Sequence, residues 1–245
     1  MILEVSNLSK RYNKKEKYAI TDINIHADAG EVVGIVGHNG AGKSSTIKCL
    51  TGMHPYDEGK IIINGYDLKT NPVDAKANFG YVSDVFSLYD AMTGIELINF
   101  VADIYNVSKE ERIKRIAYLD DTFKLGESIN KTVSSYSHGM KQKISLMAAL
   151  IHEPKLFILD EPMVGLDPYT IKELQEFFIS YARKGNAVVF SSHNLDVVKK
   201  LCDRVYVIDQ GVLIEEIDMK SFDPNIDILE YFLNITKRTA KVLNE

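Results

Sequence analysis

Residues 31–50 read "EVVGIVGHNGAGKSSTIKCL", and no other stretch constrains the fold as tightly. "EVVGIVG" is a β-branched run closing on glycine, the pattern of a strand buried in a parallel sheet. "KSSTIKCLTGM" has helical spacing. Between them, residues 37–44 have the form Gly-x-x-x-x-Gly-Lys-Ser. Glycines there let successive backbone N–H groups close around phosphate oxygens without Cβ clashes. The helix that follows adds its free N–H groups and the positive end of its dipole. In such a loop Lys43 reaches the β- and γ-phosphates and Ser44 ligates Mg²⁺. The expected contacts run through Gly37, Asn39, Gly40, Ala41, Gly42, Lys43, Ser44 and Ser45.

The rest of the chain alternates in the same way. Strand-like runs recur at 155–161, 186–193, 204–211 and 212–216, with helical spacing between them, and Asn64-Gly65 marks a hairpin. Strands alternating with helices predict an α/β fold with a mainly parallel core sheet. From about 94 to 153 the pattern is mostly helical and reads as an insertion between strands. "NIDILEYFLNITKR" near the end is amphipathic; it either packs on its own domain or meets a partner. The 245 residues suffice for one large domain or two small ones. A net charge of −5 argues against a dedicated nucleic-acid binder. Cys49 and Cys202 read as buried free thiols. The N-terminus lacks a signal-peptide pattern, and no apolar run approaches the ~20 residues a membrane span needs. The expectation is a soluble, cytoplasmic chain whose membrane role, if any, comes through a partner.

Three further stretches carry chemistry. "LFILDEP" (156–162) is an apolar strand closed by two carboxylates, which should emerge at the sheet edge where α/β folds bind ligands. Asp160 suits Mg²⁺, directly or through its water. Glu161 is placed to activate a water as general base. His193, in "FSSHNLD", follows another buried strand and should lie on the same edge. "SSYSHGMKQK" (134–143) is polar, then basic, then runs into a helical pattern. Ser137 reads as its N-cap, and with the Gly139 N–H and the helix dipole it offers a second anion site. A plain capped helix with a solvated basic first turn explains the same residues.

Together these residues resemble the nucleotide-binding subunits of ABC transporters, over nearly the whole chain. "GHNGAGKSS" looks like the Walker A loop and "LFILDE" like Walker B with its catalytic glutamate. "YSHGMKQK" resembles the signature sequence, "VGLDP" (164–168) the D-loop, and His193 the switch histidine. Tyr12 stands where the family's aromatic stacks on adenine. The wording around the signature most resembles exporter-type (ABC-2-like) subunits. The resemblance implies a P-loop NTPase (RecA-like) core, an N-terminal antiparallel β subdomain and a helical subdomain at about 94–153. Residues 219–245 would be a helical tail. It implies ATP and Mg²⁺, transmembrane permease subunits as partners, and peripheral attachment to the cytoplasmic face of the membrane. A second ATP-binding subunit, in a likeness to the family's homodimers, would close head to tail, so that Ser137 and Gly139 face the other chain's ATP.

Two positions depart from that pattern. Asp84, in "GYVSD", stands where the Q-loop has glutamine. There it would touch Mg²⁺ and the attacking water, at the cost of a negative charge near the γ-phosphate. His138 stands where glycine is common, so that position does not require positive φ. The segment 84–93, "DVFSLYDAMT", is expected to expose Phe86, Leu88, Tyr89 and Met92 to a membrane partner. Two other functions fit the same motifs: a soluble ATPase of an assembly scaffold, as in iron–sulfur-cluster assembly, and an ATP-binding module with little hydrolysis.

Overall fold

A computed structural model describes residues 1–13, 16–85, 88–223 and 225–242. The chain opens with β1 (Leu3–Lys10), β2 (Ile20–Ala27) and β3 (Val32–Val36), then α1 (Lys43–Leu50). β4 (Glu58–Ile63), β5 (Tyr66–Asp67), α2 (Pro72–Ala77) and β6 (Phe79–Val82) follow. Three helices come next: α3 (Gly94–Ile104), α4 (Lys109–Phe123) and α5 (His138–Leu150). The second half runs β7 (Leu156–Leu159), α6 (Pro168–Arg183), β8 (Ala187–Ser192) and α7 (Leu195–Leu201). It ends with β9 (Arg204–Asp209), β10 (Val212–Asp218) and α8 (Ile228–Val242).

The strands form one ten-stranded sheet in the order β5-β4-β1-β2-β10-β9-β3-β8-β7-β6. From β9 to β6 every neighbouring pair is parallel. β1, β2, β4 and β5 pair antiparallel. β10 joins the two parts, antiparallel to β9 and touching β2 at Val212–Thr21. Residue type explains the division. β3, β7 and β8 are buried at every position, as strands covered on both faces must be. β1 alternates buried and exposed residues over much of its length, which suits a sheet with one wet face. The Asn64-Gly65 turn closes the β4–β5 hairpin, both residues at positive φ.

Alternation along the central strands feeds two cores. Val33 and Ile35 of β3, with Leu156 and Ile158 of β7, pack beside α1 and the antiparallel strands. Their neighbours Val32, Val36, Phe157 and Leu159 face the other way, against α6, α7 and the three helices α3–α5. These three lie between β6 and β7, and Leu97, Ile98, Leu119, Phe123, Ile144 and Met147 tie them to that second core. Each has a polar start: Thr93 with a Glu96 capping box, Ser108, and Ser137. Tyr231, Phe232 and Ile235 bring α8 onto the same core, and the Tyr231 hydroxyl donates to Glu215. The tail helix therefore packs on its own chain, leaving Leu229 and Leu233 exposed. Cys49 and Cys202 are buried free thiols.

One expectation needs correction. Of the four residues expected to be exposed in 84–93, Phe86 lies outside the described residues, while Val85 beside it is exposed. Leu88 and Met92 are half-buried, and Leu88 packs on the core, so Tyr89 is the exposed one among the three described. Leu88 packs against the core that residues of α3–α5 help to form, and burying it there is cheaper than leaving it in water.

Candidate functional site

The site forms along the C-terminal edge of β3, β7 and β8. The chain leaves β3 at Gly37, where an added Cβ would come within 2.3 Å of Ile208 O. It enters α1 at Gly42, which has φ 115° and is packed on Ile20 and Gly211, so a side chain fits neither the backbone nor the space. Lys43 folds back beneath the loop and is 6% exposed. Its ammonium donates to Gly37 O at 2.8 Å and His38 O at 3.3 Å, and lies 3.5 Å from Glu161 Oε1. A buried ammonium needs such partners. Tyr12 crosses the start of α1: its hydroxyl shares a hydrogen bond with Ser45 Oγ at 2.9 Å, while the residue stays half exposed.

Asp160 does not emerge at the edge as expected. It is 1% exposed. Its Oδ1 accepts from Ser191 Oγ at 2.6 Å and from Ser44 Oγ at 3.2 Å. Burial raises its pKa, opposed by those two hydroxyls, and the charges of Asp84 and Glu161 push it up further. Among the described residues no donor reaches Asp160 Oδ2. A buried carboxylate with one bare oxygen, beside a hydroxyl that opens the helix, fits a divalent cation. No group of three or more His, Cys, Asp or Glu is arranged for a metal among the described residues. A hard ion here would therefore take most of its ligands from phosphate and water, the habit of Mg²⁺.

Glu161 has φ 47°, a left-handed backbone on a residue with a full side chain. The conformation is held from Ser191, whose hydroxyl accepts the Glu161 N–H at 2.9 Å. The carboxylate lies between Lys43 and His193, whose Nδ1 is 3.0 Å from Oε2. Asp84 is exposed and accepts from the Ser83 hydroxyl at 3.0 Å. A cavity of about 240 Å³ is lined by Asn39, Ser83, Asp84, His138, Gln142, Glu161, Val164 and His193. It collects the phosphate loop, the three candidate catalytic residues Asp84, Glu161 and His193, and the start of α5.

At that helix, Ser137 Oγ accepts from Met140 N at 3.3 Å, and a Cβ at Gly139 would meet nothing within 4 Å. His138 Nε2 is 3.2 Å from Val164 O. Gln142 is buried and donates to Pro162 O at 3.1 Å. Sequence reasoning missed Gln142, His38 and Ser191. Ser191 had a weak signal, a hydroxyl at the end of a greasy strand; the others had none beyond proximity to a motif.

Residues 20–164 match the sequence profile of the family described as ABC transporter. The chain belongs to that family. It is 36% identical over 213 residues to the linearmycin resistance ATP-binding protein LnrL of Bacillus subtilis, covering 87% of this chain and 68% of that one. It is 30% identical to the methionine import ATP-binding protein MetN of Clostridium acetobutylicum, over 100% of this chain and 74% of that one. A solved structure titled as the ATP binding subunit of an ABC transporter superposes with a TM-score of 0.90. That protein is 31% identical, and the match covers 96% of this chain and all of that one. The chain is thus an ABC-type ATP-binding subunit and an ATP hydrolase. Among its described residues, no helix is long and apolar enough to cross a membrane.

Proposed function

We propose that this ABC subunit powers export, by head-to-tail closure of two copies around ATP. The observation that carries the hydrolytic part is the placement of Glu161 between Lys43 and His193, beside the Ser44–Asp160 pair. Lys43 meets the β- and γ-phosphates, and the loop N–H groups hold the rest. Glu161 takes a proton from the attacking water, and His193 holds its other oxygen in place. Ser44 and Asp160 would hold Mg²⁺, which supplies charge neutralisation at the phosphates. Asp84 lines the same cavity and is assigned to the γ-phosphate end. Tyr12 stacks on adenine. Ser137 and Gly139 act on the other subunit's nucleotide, and the open space at Gly139 supports that use.

In this reading the whole chain is one ATPase domain. Residues 94–153 form its helical subdomain and 219–245 its tail. Its membrane partner docks at a second cavity of about 400 Å³, lined by Tyr81, Leu88, Tyr89, Leu97, Tyr105 and His152 among others. The apolar lining and the exposed Tyr89 support a protein partner there. Export rather than import is favoured by the greater identity to a resistance protein than to an import protein. The test is purification from membranes. Hydrophobic chains that follow this subunit, and leave it on Leu88→Glu/Tyr89→Glu substitution with ATP binding intact, support the reading. Soluble partners alone would favour an assembly-scaffold ATPase. Steady-state phosphate release against an Asp84→Gln variant separates a working hydrolase from a slow one. Efflux from inverted vesicles then decides direction.

A further inference from the structure

The phosphate loop leans on the turn between β9 and β10. Gly211 N–H donates to Ala41 O at 2.8 Å, and Gly37 abuts Ile208 O. A side-chain pair completes the brace. His38 Nε2 lies 2.6 Å from Asp209 Oδ1, and Nδ1 lies 2.7 Å from Asn39 O. The Asp209 side chain is 6% exposed and that of His38 is 55% exposed. The carboxylate is therefore the fixed member, set at the end of a buried strand. The imidazole spans from it to the crest of the loop. A carbonyl and a carboxylate both accept, so the pair of contacts is complete only when each ring nitrogen carries a proton. Lys43 cannot replace this strut, because a bound phosphate competes with Gly37 O and His38 O for its ammonium.

We propose that His38, held by Asp209, is a positioning residue for nucleotide binding. It pins the loop to the β9–β10 turn in the shape that accepts the triphosphate. The chemistry of phosphate binding does not itself require a histidine at this position, since backbone N–H groups and Lys43 make the contacts. The contribution of His38 is pre-organisation: a loop already in its bound shape loses less affinity to ordering. The proposal rests on the assignment of residues 37–44 to ATP.

Calorimetric titration with ATP, together with steady-state KM and kcat, tests it. His38→Ala should weaken ATP binding about tenfold, the scale of one charge-assisted hydrogen bond. kcat should change by less than about twofold, because the loop's grip and not the chemistry is altered. His38→Gln keeps a donor toward Asp209 and should recover most of the affinity. His38→Ala leaves a buried carboxylate unpaired, so its melting temperature is measured as well. Adding Asp209→Asn removes that charge, and the double variant should bind ATP no worse than His38→Ala alone, as members of one unit do. Lys43→Ala serves as the control: if it too binds ATP normally, the assignment of the loop fails and the proposal with it. With Lys43→Ala impaired, unchanged affinity in His38→Ala overturns the proposal. So do additive losses in the double variant, or a loss confined to kcat.

Discussion

Glu161 shows how much a single position can carry. Its left-handed backbone costs on the order of 1–3 kcal/mol for a residue with a side chain, and the Ser191 hydroxyl holds it there. That turn aims the carboxylate at Lys43 and His193. Glu161→Gln keeps the shape but cannot take a proton. Its turnover should fall about a hundredfold or more while ATP affinity persists. A near-normal rate in single-turnover assays would remove Glu161 from the role of base. Tyr12 belongs at the same scale. Base–aromatic stacking is worth ~1–3 kcal/mol, so Tyr12→Ala should raise the ATP dissociation constant and Tyr12→Phe should not. Equal affinities in all three proteins would place the adenine elsewhere. Lys43, Ser44, Asp160 and Glu161 were legible because each sits inside a short run whose residue types and order already state a chemistry. Ser191 and Gln142 were not. Their partners, Asp160 and Pro162, lie on other elements, and no local pattern links them.

Among the elements, the link from α5 to β7 has the clearest dependence on pH. His152 stacks on Tyr105 with ring centroids 3.7 Å apart, and its Nε2 donates to Phe79 O. Burial lowers its pKa from 6.5 to about 4. The unfolded chain thus binds more protons than the folded one between those values, and stability rises with pH across that window. The contribution is fully present above about pH 6.5, the unfolded value. It is lost as pH falls toward about 4. Urea midpoints at pH 7 and pH 5 should drop further for the protein than for His152→Phe, by roughly 2 kcal/mol when converted. The same drop in both proteins would show that burial does not hold the folded-state pKa of His152 below its unfolded value. The helix start at Ser137 was legible locally, and the structure builds those at Thr93, Ser108 and Asp167 in the same way, with a capping side chain that bonds within three residues. The partial burial of Leu88 was not, because it is decided by a core assembled from segments distant in sequence.

For the whole molecule, the pairing of two copies is open to direct test. With Cys49 and Cys202 replaced by Ser, Asn39→Cys and Met140→Cys are both placed on each of two differently tagged chains. ATP with Glu161→Gln blocks turnover. An oxidant should then join the tags, since a disulfide needs Cα atoms within about 7 Å. Yield should fall without nucleotide. Cross-links confined to single chains carrying both cysteines would exclude the head-to-tail arrangement and leave residues 136–143 as a capped helix. What the chain determined by itself is the class of its fold and the identity of its phosphate loop. A buried parallel strand, a glycine turn and a helix start are written in adjacent residues, and their physics is local. Only the tertiary structure decided that Asp160 is buried with one bare oxygen, that Glu161 is held between Lys43 and His193, and that His38 meets Asp209. Each joins groups far apart in sequence. Which side chains face each other across strand ends depends on sheet order and register, and β3 lies between β9 and β8 through crossovers that no single segment encodes.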